Sequence, residues 1–328
     1  MKGTYGLNGS DAAVIEFIFE KRFICLLTGC LILKEAGTMK IVLTGATGFL
    51  GRALCHELKE NGHNVTAVIR PESSEKAEFL EADNRVVLPL NNLEQLSGNY
   101  HVFFHLAWNG SGGEERNDYH AQLKNLIYME KALKAAKNCG CHKFIGAGSQ
   151  AEYGVIQKKT LEYETVPNPF MMYGAAKLAC MHMGRILAEQ LGITFVWPRI
   201  YSVYGPRKND PTLLGYVART LREGKVPELS ACENMWDFMY ITDFTRAMRT
   251  LAESSEAEGI YHIASGKTDR LQCFVEQLRD AIRPDIPLGF GIKQTDPSRT
   301  FWLEPNVLRL EKMSFQCETS FQEGIRNL

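Results

Sequence analysis

Residues 44–51, Thr44-Gly45-Ala46-Thr47-Gly48-Phe49-Leu50-Gly51, place three glycines between a run of strand character and a helical stretch. The strand run is Lys40-Ile41-Val42-Leu43-Thr44, and the helical spacing is that of Phe49, Leu50, Ala53, Leu54 and Leu58. The first glycine permits the tight turn, the second lets backbone approach an anion, and the third lets the helix pack closely on the strand. The first N–H groups of such a helix face negative charge, which suits the pyrophosphate of a dinucleotide. Gly62 follows as a left-handed cap.

The rest of the chain keeps that rhythm. Apolar runs at residues 65–69, 85–90, 101–107, 143–147, 194–200 and 260–264 alternate with helical patterns at 118–137, 173–191 and 242–253, with Thr242 as N-cap of the last. No two-residue hairpin turns separate them, so an α/β fold with a doubly wound parallel sheet is expected. Beyond Ile200, Pro206, Pro211 and Pro227 break the chain around a helix at 212–222. The tail, with Pro284, Pro287, Pro297 and Pro305, reads as a small irregular lobe. The expected organisation is a Rossmann-type domain over 39–200, joined by a helix and strand at 240–264. A small substrate-binding lobe then comprises 201–239 and 265–328. A chain of 328 residues suffices for this.

The N-terminus stands apart. Residues 23–33 are apolar for 11 positions, well short of the roughly 20 that span a bilayer. No small-residue cleavage site follows, and Met39 directly precedes the first strand. Residues 1–38 are therefore read as an appendage, an over-extended start. The net charge of −1 gives no sign of a polyanion-binding surface, so nucleic acid is not an expected partner. The nine cysteines include no C-x-x-C pair, and Cys139 and Cys141 lie two apart. Reduced thiols in a cytoplasmic protein, with no metal site and no membrane association, are expected.

Cofactor choice is usually set about 20 residues after the glycines, at the end of the second strand. Here Val68-Ile69-Arg70-Pro71 stands there, with no acidic residue before Glu72. Arg70 suits a 2′-phosphate through bidentate guanidinium bonding, which favours NADP over NAD.

Tyr173 and Lys177 are four apart, on one face of a helix. A neighbouring ammonium lowers a phenol's pKa from its usual value of about 10, bringing proton exchange with a substrate oxygen within range. Upstream, the run Phe144-Ile145-Gly146-Ala147-Gly148-Ser149 reads as a strand ending in a hydroxyl, where ligands of such sheets bind, and Ser149 suits the same oxygen.

The glycine loop, His105-Leu106-Ala107, Ser149 before Tyr153-Gly154, the Tyr173/Lys177 pair and Tyr204-Gly205-Pro206 occur in this order. Together, from Met39 to the C-terminus, they resemble the extended short-chain dehydrogenase/reductases, the nucleotide-sugar epimerase/dehydratase group. The resemblance implies a Ser149/Tyr173/Lys177 triad, with Tyr173 as acid/base and Lys177 also holding the nicotinamide ribose. It places Gly45, Thr47, Gly48, Phe49, Leu50 and Gly51 in the phosphate loop and Leu106 and Ala107 along the cofactor cleft. It also implies a homodimer.

Departures narrow the chemistry. Gln150 and Ala151 occupy the positions where the resembled 4,6-dehydratases carry Asp-Glu, so dehydration is not expected. Trp236 stands where a diphosphate-binding Arg is common, and Ser202 where a substrate Asn is expected. Gln150, Ser202, Arg207, Trp236 and Arg299 are the candidate substrate contacts. The leading reading is NADP-dependent reduction of a nucleotide-linked 4-keto-6-deoxyhexose at C4. The alternatives are a C4 epimerase that retains NAD, and a non-catalytic nucleotide sensor on the same fold.

Overall fold

The first strand of the computed structural model, which describes residues 37–294 and 302–328, is β1 (Lys40–Thr44), buried from Ile41 onward. It passes through the glycine turn into α1 (Phe49–Glu60). The chain continues through β2 (Asn64–Ile69), β3 (Asn84–Val87), β4 (Val102–His105), α2 (Tyr119–Asn138), β5 (Lys143–Gly146), β6 (Gly148–Ser149), α3 (Met172–Leu191) and β7 (Thr194–Ile200). Next come β8 (Ser202–Tyr204), α4 (Leu213–Arg222), β9 (Met235–Tyr240), α5 (Ile241–Glu253), β10 (Gly259–Ile263), β11 (Thr268–Arg270) and α6 (Leu271–Ile282). All of these lie in the unit Thr38–Leu328. The appendage proposed for residues 1–38 falls, except for its last two residues, outside the described residues.

The main sheet runs β3-β2-β1-β4-β5-β7-β10, with β6 beside β7, and every pairing is parallel. This is the expected doubly wound fold. Alternating residues feed opposite faces. On one face Phe103, Phe144, Phe195 and Trp197 stack at centroid spacings of 5.5, 6.0 and 5.7 Å, with Met129 and Leu133 of α2 and Cys180 and Ala188 of α3 in the same core. The opposite core joins Ile41, Leu43, Phe104, Ile145 and Val196 to Leu54 and Leu58 of α1 and to Phe244 and Met248 of α5.

Local chemistry sets the helix ends. Asp118 caps α2 by accepting from the Ala121 N–H at 2.7 Å, and Gly192 ends α3 at φ 67°. Lys143 enters β5 with its Nζ buried, donating to the carbonyls of Leu251, Ala252 and Ser254 at the last turn of α5. Burial pulls this amine down to about 8.

The tail is more regular than expected. Leu271, Phe274, Val275 and Leu278 form the buried face of α6, while β9 pairs with β8 in parallel and with β11 antiparallel in a second sheet. The tail's prolines begin at Pro284, after α6 has ended. The helix at 241–253 is not capped by Thr242 either. Its N-cap is Tyr240, and the Thr242 hydroxyl meets that of Thr319 at 3.4 Å. Among the described residues no helix is long and apolar enough to cross a membrane, and Cys55, Cys139, Cys141, Cys180, Cys232, Cys273 and Cys317 are free thiols.

Candidate active site

The strand order reverses between β1 and β4, and a doubly wound sheet binds its ligand at such a reversal, beyond the carboxyl ends of the strands. Gly45 has φ 78°, and a Cβ there would lie 2.6 Å from the Ala107 nitrogen and 2.7 Å from the Leu106 carbonyl carbon. Backbone from both sides of the reversal is thus in contact. A Cβ on Gly51 would lie 2.2 Å from the Gly45 oxygen, so α1 packs directly on the turn. Gly48 differs, because a Cβ there would meet only the Gly45 oxygen, at 3.3 Å, and the residue is exposed. It is the N-cap of α1 and supplies no side-chain bond, leaving the first-turn N–H groups to an outside acceptor. Thr47, Phe49 and Leu50 are half-buried around it. A dinucleotide's pyrophosphate fits this arrangement. Below it, Thr44 Oγ1 bonds His105 Nδ1 at 2.8 Å and accepts from the Ala107 N–H at 3.4 Å. Burial and the nearby Lys177 pull His105 down to about 3.

Arg70 follows β2 directly, and its Nη1 lies 3.1 Å from Glu72, with both side chains well exposed.

Ser149 ends β6 as a buried residue whose Oγ accepts from the Ala151 N–H at 3.2 Å, which leaves its own proton to donate. Tyr173 and Lys177 stand in the first two turns of α3. Lys177 is buried. Its Nζ donates to the Ala147 carbonyl at 2.6 Å and lies 3.4 Å from the Trp108 ring centroid, but 5.6 Å from that of Tyr173. Burial pulls the amine down to about 7. The expected lowering of the Tyr173 pKa by this ammonium gives way to the opposite direction. Burial raises the phenol, against the opposing pull of the Ser149 hydroxyl and then of Arg116.

Gln150 is half-buried directly after Ser149, and Ser202 is half-buried on β8. Trp236 packs against Phe238 of β9, its indole N–H buried without a partner among the described residues. Arg207 is exposed, its guanidinium 5.5 Å from the ring of Phe49, hence beside the phosphate loop. Arg299 lies outside the described residues.

The structure adds residues that sequence reading left unassigned. Glu152 is fully buried. It accepts from the Ser149 N–H at 2.8 Å, Trp197 Nε1 at 2.9 Å and Arg199 Nε at 2.7 Å, so a buried ion pair braces the serine turn. Serine followed three residues later by glutamate is a capping-box signature, and that signal was present. Trp108 meets Tyr173 edge-on at 5.9 Å, and Arg116 lies 4.4 Å over the same ring.

With the glycine turn at the reversal of a parallel sheet and Tyr173, Lys177 and Ser149 opening onto it, the protein is an extended short-chain dehydrogenase/reductase. Residues 41–264 match the profile of the NAD dependent epimerase/dehydratase family. The chain belongs to that family of enzymes. It is similar to an uncharacterized UDP-glucose epimerase, YtcB, of Bacillus subtilis, with 26% identity across 88% of this chain and 96% of the other. It is also similar to the dTDP-6-deoxy-L-talose 4-dehydrogenase (NAD(+)) of Aggregatibacter actinomycetemcomitans, with 27% identity across 73% and 89%. Among solved structures, a UDP-glucuronic acid 4-epimerase mutant from Bacillus cereus, in complex with NAD and a fluorinated UDP-sugar, superposes with a TM-score of 0.76. It shares 21% identity over 88% of this chain and 97% of that one, which speaks for the fold.

Proposed function

We propose that the protein reduces the C4 ketone of a nucleotide-linked 4-keto-6-deoxyhexose, using NADP. When bound, the reduced nicotinamide supplies a hydride to the sugar carbon. Tyr173 gives its phenolic proton to the carbonyl oxygen, and Ser149 donates a hydrogen bond to the charge developing there. Lys177 holds the nicotinamide ribose. Gln150, Ser202, Arg207, Trp236 and Arg299 contact the substrate, and Arg70 reads the 2′-phosphate.

The observation that carries this reading is the pairing of Ser149 and Tyr173 with Gln150 and Ala151 after the serine, while the carboxylate beyond them, Glu152, is held in its buried ion pair with Arg199. Such a site supports reversible redox at one carbon and lacks the groups for elimination. The 4-dehydrogenase relative, named for a 6-deoxysugar, points to the same carbon and sugar class. The epimerase relative supports a second reading, C4 inversion with retained NAD.

Incubation with a panel of NDP-4-keto-6-deoxysugars and NADPH tests both. Stoichiometric loss of reduced-nicotinamide absorbance with one sugar establishes the reductase. Cofactor that co-purifies and is not consumed, with an inverted sugar as product, establishes the epimerase. Turnover unchanged in Tyr173→Phe would sink both mechanisms.

The same reading includes a cytoplasmic homodimer. Leu123, Ile127, Met183 and Ile186 of α2 and α3 are exposed beside an apolar groove of about 320 Å³, a face suited to a second copy. Light scattering at micromolar concentration distinguishes a dimer from a monomer.

A further inference from the structure

The loop between β4 and α2 is held by two buried amides of α2. Gln122 Oε1 accepts from Trp108 Nε1 at 3.0 Å, while its Nε2 donates to the carbonyls of Gly110 at 2.7 Å and Glu115 at 3.0 Å. Asn125 exchanges two bonds with the backbone of Asn109, at 2.8 and 2.9 Å. Asn117, one residue past Arg116, accepts from the Met172 N–H at 3.2 Å, tying the loop to the start of α3. Buried amides fully engaged in this way fix a loop, because unpaired they carry a heavy desolvation cost.

What this anchoring delivers is Arg116. Its guanidinium lies 4.4 Å from the Tyr173 ring centroid. Its Nε is buried without a hydrogen-bond partner, and it forms no ion pair among the described residues. A half-buried arginine that pairs with no carboxylate keeps its full charge for what it faces, and it faces the proton donor. The other groups facing Tyr173 are Ser149 and Glu152 from the serine turn and Lys177 from its own helix. Glu152 is neutralised by Arg199 at 2.7 Å, and the Lys177 ammonium is directed at Ala147 and Trp108.

We propose that Arg116 is a positioning residue for the proposed reduction, a second cation that stabilises the Tyr173 phenolate through the ring face as the proton leaves. A cation against an aromatic face is attracted by the ring's electrons, and an ionised ring carries more negative charge to attract it. The two cations are thus divided: Lys177 is bonded to the Ala147 carbonyl and packed on Trp108, and Arg116 lies over the Tyr173 ring.

This inference rests on Tyr173 being the proton donor, so its test reads the tyrosine directly. Ultraviolet titration of the full-length protein minus its Tyr173→Phe counterpart isolates that phenol. In Arg116→Gln, which keeps volume and N–H groups, the midpoint should rise by about one pH unit. Arg116→Lys, which retains the charge, should fall between that variant and the wild type. The alkaline limb of turnover should move the same way, because reduction needs the protonated phenol. An unchanged midpoint in Arg116→Gln, or a midpoint in Arg116→Lys that matches Arg116→Gln, overturns the proposal. Full turnover in Tyr173→Phe would instead remove the proton-donor reading while leaving the titration result standing.

Discussion

Lys177 lies against the face of Trp108, its Nζ 3.4 Å from the ring centroid and 2.6 Å from the Ala147 oxygen it donates to. The indole shields the amine from water, and burial holds it at about 7. A dinucleotide that requires the charged amine takes up a proton on binding, so its affinity should fall as pH rises. The decline approaches about tenfold per unit above the free amine's pKa. Isothermal titration from pH 6 to 9 measures the slope, which Lys177→Met should flatten. Equal slopes in the two proteins would exclude Lys177 from cofactor binding.

Gly45 and Gly48 separate fold from binding. Gly45→Ala puts a methyl 2.6 Å from backbone at φ 78° and should lower thermal stability markedly. Gly48→Ala meets one oxygen at 3.3 Å and should leave the melting temperature nearly unchanged while weakening dinucleotide affinity by about tenfold or more. Identical behaviour of the two variants in melting and binding assays would contradict these roles.

The brace behind Ser149 should be costly to break from one side. Glu152→Gln leaves Arg199 buried and unpaired, and a loss of about 3–5 kcal/mol is expected in denaturant melts. The double change Glu152→Gln with Arg199→Met should recover much of it. Additive losses would show that the two residues do not act as a pair.

Cofactor preference should turn on Arg70. Arg70→Ala is expected to weaken NADP binding by about tenfold, the order of one charge-assisted hydrogen bond, and to leave NAD affinity near its original value. Glu72, at 3.1 Å from the guanidinium, is released by the same change. Equal loss for both dinucleotides would point to a purely structural arginine.

Asp237, buried on β9, accepts from the Ser265 N–H at 2.8 Å and its hydroxyl at 3.0 Å, and burial pushes its carboxyl up to about 6. Its folded-state pKa therefore exceeds the unfolded value of about 4. The stability it contributes is present below pH 4 and lost as pH rises through 6. Urea melts at pH 5 and 8 should show Asp237→Asn gaining on the wild type at the higher pH. A constant difference between the two proteins would refute the shift.

The parallel sheet was legible because its strands are short apolar runs divided by helices with clear ends, Gly62 and Gly192 among them. Ser149, Tyr173 and Lys177 were legible because one is a strand end and the others are a helical turn apart. Trp108 and Arg116 were not, since they meet Tyr173 through a loop set by Gln122 and Asn125, amides that look like ordinary surface residues in a sequence. Glu152 was hidden differently, as a cap that also carries a buried charge. The α6 helix was readable from Leu271, Phe274, Val275 and Leu278, and the prolines beyond it obscured that spacing.

The bond between Thr44 and His105 joins two uncharged side chains at the carboxyl ends of β1 and β4. Arg52, the arginine nearest in sequence to the glycine turn, is turned away towards the carbonyls of Lys76 and Phe79. An anion over the turn would therefore meet the peptide N–H groups at the start of α1 at short range, with the exposed Arg207 guanidinium beside Phe49 as the charged side chain at the loop. Dissolved ions screen separated charges over about 10 Å at 0.1 M, and they gain little hold on donors in direct contact with their acceptor. A pyrophosphate held by these N–H groups should accordingly lose little affinity as ionic strength rises, and a salt dependence would report the Arg207 contact.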